Sequence, residues 1–261
     1  MLSLKEPQNE AKAVNGLHSD LEKPYRVAIP QVPITEKRKP FVPALDEELI
    51  DAGTARANVA ASREYPNGTT KGDWTQRHQH QTVIQQHVQY FDPDQDGVIW
   101  PLDTWHGFRA WGFIWPLAAF GTFIIHFFLS YPTGLSLLPD PFFRIYVANV
   151  HKNKHGSDSM TYDAEGRFRP QHFEDFFAKY DKEGKGGLSK WDIVTALRGQ
   201  AFAFDLFGAS AGCLEWLATY LLLWPENGIM EKDDVRRVFD GSIFYEKAQE
   251  YTDARMGVRP K

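Results

Sequence analysis

Asp92-Pro93-Asp94-Gln95-Asp96-Gly97-Val98-Ile99-Trp100-Pro101-Leu102-Asp103 decides how this chain is read. Carboxylates stand at the first, third and fifth positions, and Gly97 stands at the sixth, where an EF-hand loop makes its sharp turn. Val98 offers a backbone carbonyl at the seventh position. Ile99 at the eighth suits the short strand that pairs two such loops. Asp103 closes the window where Glu is usual, and it is one methylene shorter, with less bidentate reach. Ca²⁺ takes about six to eight hard oxygens, so Asp92, Asp94, Asp96, Val98 and Asp103 form the expected calcium site. A solvated acidic loop is the competing reading.

Upstream, Trp74 to Phe91 reads WTQRHQHQTVIQQHVQYF. Val83, Ile84, His87, Val88 and Phe91 share one face, which predicts one helix entering the loop with His87 on its apolar side. Residues 1–44 carry scattered prolines and little apolar periodicity and are expected to be unstructured. A short helix is expected over 45–62, and Tyr65-Pro66-Asn67-Gly68 reads as a turn.

Downstream, Ala110 to Pro139 reads AWGFIWPLAAFGTFIIHFFLSYPTGLSLLP, with no Asp, Glu, Lys or Arg. A bilayer core takes about 20 apolar residues as a helix, so this run is long enough to enter a membrane. Pro116 and Pro132 interrupt it, which predicts a bent or hairpin insertion. The competing reading is the core of a soluble domain. His151 and His155 follow, four apart and on one face if helical. Lys152 and Lys154 flank them, and a basic helix end explains the pair locally.

Asp181-Lys182-Glu183-Gly184-Lys185-Gly186-Gly187-Leu188-Ser189-Lys190-Trp191-Asp192 repeats the loop pattern, with acids at the first, third and last positions and Gly186 at the sixth. Lys185 puts a positive charge at the fifth. This loop is expected to pair with the first without binding metal. Residues 201–224 are apolar, but Asp205 and Glu215 favour an interfacial or groove-packing helix over a spanning one. Cys213 is the single cysteine, so no intramolecular disulfide forms, and a reducing compartment is expected. It is expected in the packed core. From Met230 the chain reads as one amphipathic terminal helix with an exposed tail.

A net charge of −5 gives no general pull toward nucleic acid. Walker and GxGxxG motifs are absent from the sequence. The N-terminus, MLSLKEPQNEAKAVNG, lacks the apolar core of a signal peptide. The expected fold is mainly α: an EF-hand-like helix-loop-helix pair with an intervening proline-interrupted hydrophobic membrane-associating segment. The expected divisions are a weakly structured region over 1–62, a calcium-binding unit over 63–109 and a lipid-inserting segment over 110–150. A helical region with the degenerate loop follows over 151–245, and a tail over 246–261.

The order of these parts resembles one family. QQHVQYFDPDQDGVIWPLDTWHGFRAWGF, SYPT, PDPFFRIYV, VHKNKHGSDSMTYDAEGRF, EWLATY and VRRVFDGSIF together are similar to the caleosins, also called seed peroxygenases. The resemblance implies a Ca²⁺-binding haem b enzyme that uses fatty-acid hydroperoxides to oxygenate unsaturated fatty acids and other lipophilic substrates. It implies a place on the lipid droplet and endoplasmic reticulum membrane, facing the cytosol, and leaves room for a homo-oligomer. The family's histidines fall on His87, His151 and His155. A peroxygenase needs one axial position of the iron open. His87 is therefore assigned as proximal ligand, and His151, ahead of His155, as distal acid–base group or alternative ligand. Two positions depart from the family pattern: Asp103 in place of Glu, and Arg144 where a third proline of the knot is usual. A non-enzymatic calcium-binding coat of the droplet surface and a calcium sensor remain as the other two function classes.

Overall fold

The computed structural model describes residues 57–257. The stretch 1–44 and most of the helix expected over 45–62 lie outside them. Residues 57–62 are not helical; Ala57 instead exchanges backbone hydrogen bonds of 2.9 and 2.8 Å with Phe168.

The described chain is mainly helical, and two similar halves follow one another. In the first, α1 (Trp74–Arg77) and α2 (Val83–Gln89) lead to β1 (Val98–Ile99), α3 (Pro101–Ala110), α4 (Trp115–Thr133), β2 (Ile145–Tyr146) and a 3₁₀ helix (Val147–Asn153). In the second, α5 (Pro170–Tyr180) leads to β3 (Gly187–Ser189), α6 (Lys190–Gln200), α7 (Leu206–Leu223), β4 (Ile229–Glu231) and α8 (Lys232–Phe239). Helix α9 (Ser242–Arg255) closes the described chain.

The single helix expected from Trp74 to Phe91 is split. Thr82 starts α2 afresh, its N–H donating to Gln85 Oε1 at 3.0 Å in a capping box. The single terminal helix expected from Met230 is split too. Gly241, at φ +73°, turns the chain between α8 and α9.

The two loops do not pair with each other as expected. β1 pairs antiparallel with β2, placing Val98 opposite Tyr146 and Ile99 opposite Ile145. β3 pairs with β4, placing Leu188 opposite Met230. In each half the glycine at the sixth loop position extends the ladder. Gly97 O accepts from Val147 N and Gly186 O from Lys232 N, both at 3.0 Å. Each loop is thus satisfied by the strand that follows the next long helix.

Helix α4 runs through the uncharged segment without the expected interruption. Pro116 lies in its first turn, where a missing N–H leaves no intrahelical bond unmade, and Pro132 lies in its last. The prolines bracket the helix. Its packing is inverted. Ala118, Thr122, His126, Ser130 and Thr133, about one turn apart, are buried, while Trp115, Phe120, Phe123, Phe127 and Tyr131 are exposed. His126 is satisfied inside, with Nε2 2.8 Å from Thr104 Oγ1 and Nδ1 2.6 Å from Phe143 O. The core proper is aromatic and aliphatic: Phe168, Phe173, Phe177, Leu188, Met230 and Phe244 are buried.

Gly187 tests the second ladder. A Cβ there would lie 2.2 Å from Met230 O, on backbone that cannot give. Gly187→Ala should lower the unfolding free energy by about 1–3 kcal/mol. Denaturant unfolding measures this, and an unchanged midpoint would contradict the β3–β4 pairing.

Candidate functional site

The first loop gathers three carboxylates. Oxygens of Asp92, Asp94 and Asp96 lie within 4.8 Å of one another. Asp92 Oδ2 accepts from Gly97 N at 3.0 Å, and Asp96 Oδ1 from Val98 N at 2.8 Å. Asp92 Oδ1 is buried with no hydrogen-bond partner. An unpaired buried carboxylate oxygen is costly unless a cation completes it. Burial pushes the Asp92 carboxyl up from its ordinary value, and the charges of Asp96 and Asp94 add to this. These hard oxygen donors fit Ca²⁺ or Mg²⁺. Val98 lies in β1, and its N–H serves the loop. Asp103 is not in the cluster. Its Oδ2 accepts from Trp100 N at 2.9 Å, capping α3.

The histidines lie on α2 and on the segment that follows β2. His87 Nδ1 is 2.7 Å from the carbonyl oxygen of Val238. A carbonyl only accepts, so Nδ1 carries the proton and Nε2 of the neutral ring is left with its lone pair. Burial holds the His87 pKa below its ordinary value, which keeps the ring neutral. Phe244 meets the ring edge-on at 5.0 Å. The Asp240-Gly241-Ser242 turn lies against the same helix, and a Cβ on Gly241 would come within 2.8 Å of Gln86 O.

Val238 and Phe239 end α8, where no further helical turn supplies N–H donors, and Val238 O also accepts from Gly241 N at 3.1 Å. Val238 O takes His87, and Phe239 O accepts from the buried Tyr162 hydroxyl at 2.6 Å. Asp240, also buried, accepts from Thr69 Oγ1 at 2.8 Å and lies 3.6 Å from Arg236.

His151 and His155 do not share a helical face. His151 is half-buried in the 3₁₀ helix, which packs against α2, and His155 lies beyond its end. His155 Nδ1 is 2.7 Å from Gly156 O, and Nε2 is 3.0 Å from Glu215 Oε1. Both nitrogens face acceptors, so the ring is an imidazolium. Its bond to Glu215, the main cause, raises its pKa from 6.5 to about 9. Neither nitrogen has a free lone pair for iron or for a substrate proton. The donor set therefore separates the three histidines: His87 fits an axial ligand, and His155 as folded does not.

In the sequence Glu215 counts against a spanning helix and belongs to the EWLATY stretch, and neither reading places it beside a histidine. Its charge bears on His87, Lys154, His155 and Tyr162 alike, so these groups share one neighbourhood. Lys154 donates to Tyr162 O. Asp205 caps α7 and accepts from Ser157 Oγ at 2.7 Å, tying the segment after His155 to that helix.

A broad apolar surface adjoins these elements. Phe128 of α4 meets Phe207 of α7 at 5.5 Å. Phe123 is 62% exposed, Leu137 92% and Leu206 81%. Among the described residues, α7 is the one helix long and apolar enough to cross a membrane. Cys213, expected in the core, is exposed on α7.

A family model described as Caleosin related protein matches residues 79–248. The chain is 36% identical over 214 residues to "Peroxygenase" of Lilium longiflorum, covering 82% of this chain and 87% of that protein. It is 37% identical over 165 residues to "Probable peroxygenase 4" of Arabidopsis thaliana, covering 62% and 83%. A third relative, "Probable inactive peroxygenase-like protein" of Arabidopsis thaliana, is 34% identical over 83 residues, covering 32% of this chain and 40% of its own length. No solved structure matches significantly.

The His155–Glu215 pair has a pH signature. The folded pKa lies above the unfolded one, so the pair's stabilisation is complete below about 6.5 and is lost as pH rises through about 9. In Glu215→Gln the His155 midpoint, followed by NMR, should fall toward 6.5 and this pH slope of stability should flatten. A midpoint unchanged by the substitution would contradict the pairing.

Proposed function

The chain belongs to the caleosin family, and on that premise we propose that it is a calcium-dependent haem peroxygenase of the lipid-droplet and endoplasmic reticulum surface. The family match and the relatives named peroxygenase make it an enzyme of peroxygenase type. The single observation that carries the haem reading is His87, a half-buried neutral imidazole with Nδ1–H committed to Val238 O.

His87 would hold the iron through Nε2, and the Val238 carbonyl fixes its tautomer and ring plane. The haem, when bound, supplies cleavage of the hydroperoxide O–O bond and transfer of oxygen to an unsaturated fatty acid. The protein's part is orientation, exclusion of water and proton transfer. A proton must leave the hydroperoxide and return to the departing alkoxide. His151, on the helix beside α2, is the histidine assigned to this, an imidazole able to take and return a proton. His155 already holds both protons and serves as a fixed positive charge opposite Glu215.

Calcium enters through the first loop. Asp92 follows α2, and β1 pairs with β2 directly before the 3₁₀ helix. An ion on Asp92, Asp94 and Asp96 thus steadies both elements that carry candidate histidines, His87 on one side and His151 on the other.

The lipid reading rests on the inverted packing of α4. Its exposed aromatic face is larger than a folded monomer ordinarily leaves in water. The β1–β2 ladder joins the chain before α3 to the chain after α4. A crossing would set those flanks about 30 Å apart, whereas paired strands lie about 4.8 Å apart. The α3–α4 pair as a unit therefore enters and leaves one lipid surface, and the β3–β4 ladder imposes the same on α6 with α7. A non-enzymatic droplet coat is the second reading, favoured by the relative named inactive.

Absorption spectra of detergent-purified protein separate the two readings. A Soret band that responds to a fatty-acid hydroperoxide supports the enzyme, and its absence supports the coat. His87→Val should lose the band and the activity. His151→Val should keep the band and lose about 10²–10⁴ in rate. Full haem and rate in His87→Val would overturn the assignment.

Flotation with lipid vesicles tests the surface. Phe123→Asp with Phe127→Asp places charge on the outer face of α4 while leaving its buried stripe intact. The doubly substituted protein should stay in the aqueous fraction, and undiminished flotation would refute the lipid face.

A further inference from the structure

The two loops share one frame. The first carboxylate of each accepts from the sixth-position glycine, Asp92 from Gly97 at 3.0 Å and Asp181 from Gly186 at 2.8 Å. The last carboxylate of each caps the outgoing helix, Asp103 to Trp100 N at 2.9 Å and Asp192 to Ser189 N at 2.8 Å. They differ at the fifth position, Asp96 in one and Lys185 in the other.

In the second loop the lysine turns inward. Its Nζ lies 3.0 Å from Asp192 Oδ2, 3.4 Å from Glu183 Oε2 and 3.9 Å from Asp181 Oδ1. These are the last, third and first positions of the loop. A single positive atom sits among the three carboxylates that, in a metal-binding loop, would surround the ion. The first loop offers the contrast: Asp92 Oδ1 is buried there and has no partner.

We propose that Lys185 is the built-in cation of the second loop, its ammonium standing where the first loop takes a divalent ion. The α5–α6 loop is then closed in every state of the protein, and calcium acts on the first half alone. The halves keep the same ladder architecture and divide the labour: one responds to the ion and the other holds its shape without it. This follows from the geometry of the second loop and does not depend on haem or on peroxygenase activity.

The test exchanges the tethered cation for a ligand. Wild type should bind one Ca²⁺ per chain in calorimetric titration, and Lys185→Asp should bind two. Asp92→Ala should bind none, and Asp92→Ala with Lys185→Asp should bind one. A second loop that takes no ion once Lys185 is Asp overturns the proposal. If the first-loop reading alone fails, wild type binds none while Lys185→Asp still gains one. A separate measurement stands if the Asp variants fail to fold. Lys185→Met leaves three carboxylates facing each other and should lower Tm by about 2–4 °C. An unchanged Tm there would also overturn the proposal.

Discussion

The carbonyls that close the end of helix α8 are the constraint on which the candidate site depends. A helix leaves its last carbonyls without internal partners, and burial makes an unmet acceptor expensive. Here Val238 O takes His87 and Phe239 O takes Tyr162. Asp240 takes Thr69 and faces Arg236, whose guanidinium also reaches Ala60 O at 2.8 Å. One turn of chain thereby gathers α2, the segment around residue 162 and the strand-like N-terminal stretch. Removing Arg236 would leave the buried Asp240 without its counter-charge, at a cost of about 3–5 kcal/mol. Gly241 allows the close approach, and no side chain would fit between it and α2.

The first acidic loop is the second hub, and it is mechanical. Its strand pairs with the chain just past α4. Tyr146 N donates to Thr133 Oγ1 at 3.2 Å, and Asn149 Nδ2 to Thr133 O at 3.0 Å, so the end of α4 is held from the same place. An ordered loop fixes the exit of α4, the entry to the 3₁₀ helix and the end of α2 together. That linkage gives a physical route from the loop to both the exposed aromatic face of α4 and the histidines.

Much of this was legible in the sequence, for reasons that can be named. The loop positions of Asp92, Asp94, Asp96 and Gly97 follow from coordination chemistry and turn geometry, which act locally. The absence of charge from Ala110 to Pro139 corresponds in the structure to a helix that exposes Phe120, Phe123 and Phe127. Periodicity could not reveal that α4 turns its Thr, Ser and His stripe inward, because that depends on what packs against it. It also could not place His155 beside Glu215, sixty positions away in the chain. The strand pairing was misread because two similar loops invite pairing, whereas each finds a nearer strand after its next long helix. Cys213 was misplaced on the ordinary expectation that a cysteine is buried, which fails on a helix whose apolar side faces outward. Local patterns report local chemistry; the carbonyls that hold His87 and Tyr162 come from a helix end far along the chain, and nothing in either local pattern announces them.

The central claim is that the end of α8 presents His87 as a neutral ring with a bare Nε2. Long-range ¹H–¹⁵N correlation of the imidazole nitrogens in haem-free protein at neutral pH tests this most directly. The account predicts a neutral His87 with the proton on Nδ1 and an unprotonated Nε2 whose signal shifts when haem is added. A His87 protonated on Nε2, or carrying both protons at that pH, would contradict it.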